Sequence, residues 1–184
     1  MQAIHALLQR RSAKALTAPA PDEGALELIL ASASAAPDHG RLRPWRFIVI
    51  QGDSLGRFGD LLAEHLQRRH PSSTEEVLQR ERQKAFRAPM ILVVAAACTP
   101  GGKIPVIEQV LAAGAAAQNV MLAAAALGFN SMWKTGDPAY DEQVKIALGL
   151  EAQDSIVGFM YLGTDAAKPD MTPRPSWRDR VRHW

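Results

Sequence analysis

The sequence predicts one layered domain of the α+β or α/β kind, a mixed sheet flanked by helices, on three observations. Helical segments outnumber strand segments, helices of varied length separate the strands, and no internal repeat or linker divides the chain. With 184 residues, 47% of them apolar and 22% charged, the chain has the length and composition of a soluble protein with a substantial core.

Each element has its own warrant. Residues 3–11 carry Ile4, Leu7 and Leu8 at the spacing of a short amphipathic helix. Asp22 is placed to cap a second helix through "GALELILASASAA". Residues 45–51, "WRFIVIQ", read as the first strand, and a helix follows from Ser54 to Arg69 on Leu55, Phe58, Leu61, Leu62 and Leu66. Ser73 and Glu76 have capping-box spacing, which predicts a further helix reaching Phe86. Pro89 then introduces "MILVVAAA", the unbroken apolar run of an interior strand. The alanine-rich stretch 105–127 predicts a long central helix, with Pro105 near its start and Gly128 placed to end it. "FNSMWK" is a third strand. Asp137 as N-cap, Pro138 in the first turn and Gly149 as terminator predict a helix through "GDPAYDEQVKIALG". "SIVGFMYLG" is the last strand, and residues 164–184, rich in proline, arginine and tryptophan, form an extended tail of the same domain.

Several classes are excluded or disfavoured. A net charge of +2 is too small to argue for nucleic acid. Cys98 is the only cysteine, so no intramolecular disulfide can form, and its apolar surroundings predict a buried, inert thiol. At the N-terminus the charges follow the apolar residues, the reverse of a secretory signal, and a cytoplasmic location is expected. Residues 110–129 approach the roughly 20 residues of a bilayer span. Alanine is a poor anchor, however, and Gln118 and Asn119 sit centrally, so a helix buried in protein is expected and no membrane partner. The small side chains of that helix would let a second backbone approach, which predicts a homodimer. The histidines, His5, His39, His65, His70 and His183, show no metal-ligand spacing, and no metal is expected. Neither a dinucleotide fingerprint, a P-loop nor a nucleophile elbow is present.

Four clusters carry possible chemistry, each beside a plainer reading. Arg10, Arg11, Ser12 and Lys14 either complement the end of a helix dipole or form a phosphate clamp of guanidinium forks, hydroxyl and ammonium. "PDHGRLRPW", with His39, Arg41 and Arg43, is either a solvated turn or a ligand loop at a strand edge. Trp133 is either core or, with Lys134, Thr135 and Gly136, the rim of a flat heteroaromatic ligand. Arg174 stands in a tail whose plainer reading is a solvated end.

Taken in order, R-R-S, A-P-x-x-x-x-x-x-P-W-R-F, G-F-x-x-x-W-K-T-G and G-F-x-Y-L-G-T resemble the nitroreductase family, in particular its short NAD(P)H nitroreductase branch. The resemblance spans nearly the whole chain. It implies an α+β homodimer with FMN at the subunit interface, Arg10, Arg11 and Ser12 holding the phosphate and ribityl region, and Trp133, Lys134, Thr135 and Gly136 lining the flavin. His39 would reach the flavin held mainly by the partner subunit, and Arg174 would return near the phosphate. The wider family has Asn and Gln where this chain has Arg41 and Arg43, and Ser where it has Asp38, and a close relative has arginine in place of Ala35; Arg41 or Arg43 is the candidate replacement for that cation. A ping-pong cycle is implied, NADH or NADPH and then a nitroaromatic, quinone or similar small aromatic acceptor using the same flavin in turn, with no protein nucleophile. Lys134 is the candidate for stabilising negative charge on the reduced ring. Alternatives are a related flavin enzyme, dehalogenating or breaking down flavin, and a non-catalytic flavin- or nucleotide-binding protein.

Overall fold

The computed structural model describes residues 3–167 and 172–184. Its centre is a sheet of five strands, β1 (Leu16–Thr17), β2 (Trp45–Gln51), β3 (Met90–Ala96), β4 (Asn130–Lys134) and β5 (Ser155–Asp165). The order is β1-β5-β3-β2, and β4 also pairs with β5, on the side away from β3. All four ladders are antiparallel, and the parallel component is a bridge between Ser12 and Ser131. Every residue of β3 is buried, which is why its sequence is apolar without alternation.

Successive β3 residues feed two cores. Ile91, Val93 and Ala95 meet Phe58 and Leu62 of α3 (Asp53–Arg69) and Val144 of α6 (Glu142–Ala147). Leu92 and Val94 meet Ile29 of α2 (Glu23–Ser34) and Ala116 and Val120 of α5 (Val106–Ala126). The result is a helix–sheet–helix sandwich, the expected class. Alanines at 112, 113, 116, 117 and 124 bury one side of α5. Asn119, mid-helix, donates from Nδ2 to the Ser32 carbonyl at 2.9 Å, tying α5 to α2, so the polar break in the apolar run is a contact between helices. Gly128, at φ 87°, turns the chain so that the Phe129 N–H reaches the Ala124 carbonyl at 2.9 Å and closes the helix end.

Several boundaries differ from expectation. The capping box does not form: the Ser73 N–H closes a turn onto His70, Glu76 pairs with Arg80, and α4 (Glu75–Arg82) starts after Thr74. Residues 83–87 tighten into a 3₁₀ turn, so that helix stops short of Phe86. The helix expected from Asp137 is divided as well. Asp137–Tyr140 is a 3₁₀ turn, and Asp141 caps α6 by accepting the Val144 N–H at 2.9 Å, while Asp137 pairs with Arg69 at 3.3 Å. β1 is too short to carry a pattern. It pairs with Thr164 and Asp165, so the tail begins one residue beyond the strand end, not at 164. The first helix, α1, covers Ala3–Gln9, and Ile4, Leu7 and Leu8 are exposed.

Candidate functional site

Where α1 ends, three guanidinium groups converge. Arg11 folds back and donates from one Nη to the carbonyls of Leu8 at 3.0 Å and Arg10 at 3.1 Å, capping the helix as the plainer reading expected. Arg174 arrives from the tail and donates to the carbonyls of Leu8 and Arg10. Arg10 is half-buried. Burial first, then the charges of Arg174 and Arg11, push its pKa below the ordinary arginine value. Among the described residues, no carboxylate is paired with any of the three. The Arg11 Nε is buried without a hydrogen-bond partner among the described residues. An anion placed here would relieve the repulsion, and a phosphate fits that donor set.

Ser12 joins this corner to the sheet. It bridges Ser131 on the free side of β4, and the Ala13 N–H donates to the Ser131 carbonyl at 2.9 Å. Two residues further along β4, Trp133 is half-buried on the α5 side. Its indole N–H donates at 3.1 Å to the Val157 carbonyl. Val157 is the extra residue of a bulge: Val94 pairs with Gly158 and Ala95 with Ile156, so its carbonyl lies outside the regular register. Trp133 is thus held as a core side chain. Lys134, Thr135 and Gly136 are exposed, and Gly136 has φ 111°, a conformation open to glycine and strained for other residues.

Beside these three residues lies a cavity of about 250 Å³. Phe58 and Phe159, 5.4 Å apart between ring centroids, form part of its wall. Its cations divide into two kinds. Arg69 and Lys84 are neutralised by Asp137 and Glu81, whereas Arg87 and Lys134 have neither hydrogen-bond nor ion-pair partner among the described residues. Tyr161, 4% exposed, also lines it. Burial, with Glu81 adding and Arg87 opposing, pushes the Tyr161 phenol up to about 12, so it remains a neutral donor. His65 lies behind, its Nδ1 3.1 Å from Asp141 Oδ2 without hydrogen-bond alignment.

His39 is elsewhere. It precedes β2, the strand at the opposite edge from β4, three strand spacings away at about 4.8 Å each. Its ring contacts Glu108 of α5. Arg41 and Arg43 follow it with left-handed φ of 55° and 49°, both exposed, and neither guanidinium is hydrogen-bonded among the described residues. The chain therefore gathers Arg10, Arg11, Ser12 and Arg174, sets Trp133–Gly136 next to them along β4, and keeps His39 apart.

Residues 7–164 match the profile of the Nitroreductase family. YdjA of Escherichia coli strain K12, whose name provisionally assigns NAD(P)H nitroreductase activity, is 38% identical over 180 residues, covering 94% of this chain and 97% of YdjA. The chain belongs to the nitroreductase family. A Haemophilus influenzae protein with the same provisional assignment is 37% identical, covering 92% of each chain. Among solved structures, a nitroreductase-like protein from Bacillus cereus superposes with a TM-score of 0.83 at 23% identity, over 100% of this chain and 96% of that one. A nitroreductase assigned in Desulfovibrio desulfuricans, solved with FMN, gives 0.72 at 28% identity over 94% and 91%. The fold is that of nitroreductases, and the chain is an oxidoreductase of this family.

In this member of the family, the cavity combines the marked Lys134, Thr135 and Gly136 with residues that the sequence left unmarked. Arg87 ends a 3₁₀ turn, one residue beyond the helix expected to reach Phe86, and Tyr161 was read only as strand. The signal available was alternation: Phe159 and Tyr161 share a face of β5. Their register against Lys134 and Met132 is set by the β4–β5 ladder and leaves no local trace in the sequence.

Proposed function

We propose that the protein is a homodimeric FMN enzyme that takes electrons from NADH or NADPH and passes them to nitroaromatics, quinones or similar electron-poor acceptors. The observation carrying this reading is the convergence of Arg10, Arg11 and Arg174 without a carboxylate, joined through Ser12 to the strand that ends in Lys134, Thr135 and Gly136. FMN, when bound, supplies the two-electron carrier that these side chains lack. Arg10 and Arg11, with Ser12 and Arg174, would hold its phosphate; Trp133, Lys134, Thr135 and Gly136 would line its ring. Trp133 would contribute as a fixed wall. Lys134 supplies uncompensated positive charge where negative charge develops on reduction.

Three exposed apolar side chains on α1 and three on α5, Val106, Ile107 and Leu111, favour a second copy as the cover for that surface. The distance between the β2 and β4 edges agrees with His39 serving the partner's flavin. Absorbance of the purified protein, followed by anaerobic titration with NADH and NADPH, tests the reading. Flavin bleaching by either nucleotide is expected, and a colourless protein that takes up no FMN refutes it. Sedimentation at micromolar concentration is expected to give a dimer.

A further inference from the structure

His39 is not free on its loop. Its Nδ1 lies 2.5 Å from Oε2 of Glu108, 69 residues later in the chain. Both partners are held from behind. Asp38 accepts the Arg43 N–H at 2.8 Å, fixing the loop on one side of the ring. On the other side Gly40 is left-handed at φ 71°, and a Cβ there would fall 2.2 Å from Ile104 Cδ1. Ile104 in turn is pinned through its carbonyl by Gln109, which donates at 3.0 Å, and the Gln109 amide also exchanges hydrogen bonds with Thr99. Gln109 is 3% exposed and directly follows Glu108. The carboxylate therefore stands on a rigid first turn of α5, where the helix dipole favours negative charge.

A carboxylate can only accept, so a proton must lie on the imidazole nitrogen facing it. The opposite nitrogen, Nε2, has no hydrogen-bond partner among the described residues, and the His39 side chain is 62% exposed. We propose that Glu108 is a positioning residue: by accepting from Nδ1–H it sets the tautomer and plane of His39 and directs Nε2 out of the subunit as a flavin contact. The target of Nε2 rests on the reading above, in which the partner's flavin lies there. An ion pair with no such role would be an ordinary surface contact, and breaking it would leave ligand binding unchanged. Neutral His39 then offers the ligand a bare nitrogen, which accepts from an N–H. Protonated, the same atom donates.

The test uses full-length FMN-loaded protein labelled with nitrogen-15, in which side-chain spectra report each histidine tautomer and His39→Ala assigns the signal. Wild type is expected to show the Nδ1–H form. Glu108→Gln, whose amide can donate to Nδ1, is expected to shift the ring toward Nε2–H, and Glu108→Asp to retain Nδ1–H. Losing one oriented hydrogen bond weakens FMN binding by about fivefold to tenfold in Glu108→Gln and in His39→Ala. The double variant should be no weaker than His39→Ala alone, because the two residues act as one unit. An Nε2–H form in wild type, or multiplying losses in the double variant, overturns the proposal. Wild type that binds no FMN overturns the flavin reading and the target of Nε2 with it, while the tautomer signal still decides separately whether Glu108 sets the ring.

Discussion

Replacing Gly158 with alanine probes whether Trp133 is a fixed wall or a movable ligand contact. A Cβ at Gly158 would lie 2.2 Å from Trp133 Nε1, 2.7 Å from its Cδ1 and 2.8 Å from Met160 Cε. The Met160 methyl can swing aside. The indole cannot do so freely, because its N–H is bound to Val157 at 3.1 Å and its ring packs into the α5-side core. Overpacking of this kind costs about 1–3 kcal/mol. Pulling the indole N–H from its acceptor adds about 1–3 kcal/mol where no replacement is found. Replacing a strand glycine returns about 0.5–1 kcal/mol of backbone entropy. The expected net loss is about 1–5 kcal/mol, with about 3 at its centre, a large share of the roughly 5–15 kcal/mol that holds a typical domain together. Urea unfolding of the flavin-free protein should show a lower midpoint with an unchanged slope. Gly56→Ala in α3 is the control: a Cβ there meets nothing within 4 Å, and a gain of about 0.5–1 kcal/mol is expected. If Gly158→Ala is as stable as wild type, the indole is free to rotate and the fixed-wall reading of Trp133 fails.

Three further outcomes are expected. For Asp141, burial alone would raise the carboxyl pKa, but the Val144 N–H, His65 and Arg68 outweigh it and hold the group below its ordinary value. Its contribution is complete above the unfolded value of about 3.9 and is lost as pH falls through the lower folded value. Asp141→Asn keeps a competent N-cap and removes the charge, so its deficit against wild type in denaturant unfolding should be largest near neutrality and close in acid; a gap unchanged with pH would refute this. Tyr161 has the opposite sense: with the folded phenol pushed up to about 12, the native state keeps a proton that the unfolded chain releases above about 10. Stability should therefore fall as pH rises through that window, and Tyr161→Phe should remove this share of the fall, measured by alkaline unfolding of both proteins. Lys134→Met should slow flavin reduction by NADH or NADPH more than it loosens FMN, read by stopped-flow and by flavin titration, and the opposite ordering would remove Lys134 from its electrostatic role.

The long elements were legible because their signals are redundant. β2 falls on residues 45–51 as read, since Pro44 precedes it and apolar residues fill it. α5 carries both a proline before its start and a left-handed glycine after its end. Where two caps compete within five residues, the sequence is ambiguous. Asp137 and Asp141 have the same side chain, and the choice falls to Asp141 because His65 and Arg68 reach it across the fold. The site was legible as residue types and not as partnerships. Arg10, Arg11 and Arg174 were marked, but that Arg174 donates to the carbonyl of Arg10 spans 164 residues and leaves no local trace. The cavity beside Lys134 was missed for the same reason: its residues come from α3, the turn after α4, β4 and β5, and only tertiary packing unites them.

The placement of His39 follows from topology more than from its own neighbours. Read along the chain, the arginine corner, the histidine loop and the W-K-T-G segment resemble consecutive parts of one site. The sheet places β4 and β2 on opposite edges, with β5 and β3 between them, so a single copy of the chain cannot bring these groups together without breaking its core ladders. Two copies can. In a twofold dimer the same surface serves both subunits, and each β2 edge can complete the site begun at the other's β4 edge. That arrangement also gives a reason for the strain around His39. Arg41 and Arg43 adopt left-handed φ at a cost of about 1–2 kcal/mol each, while Asp38 and Ile104 hold the loop in place. A solvated turn could relax by substituting glycine at either position. A loop that must present one imidazole to a second subunit has reason to keep its shape, and the Glu108 carboxylate lies on the side of the ring where that shape is set.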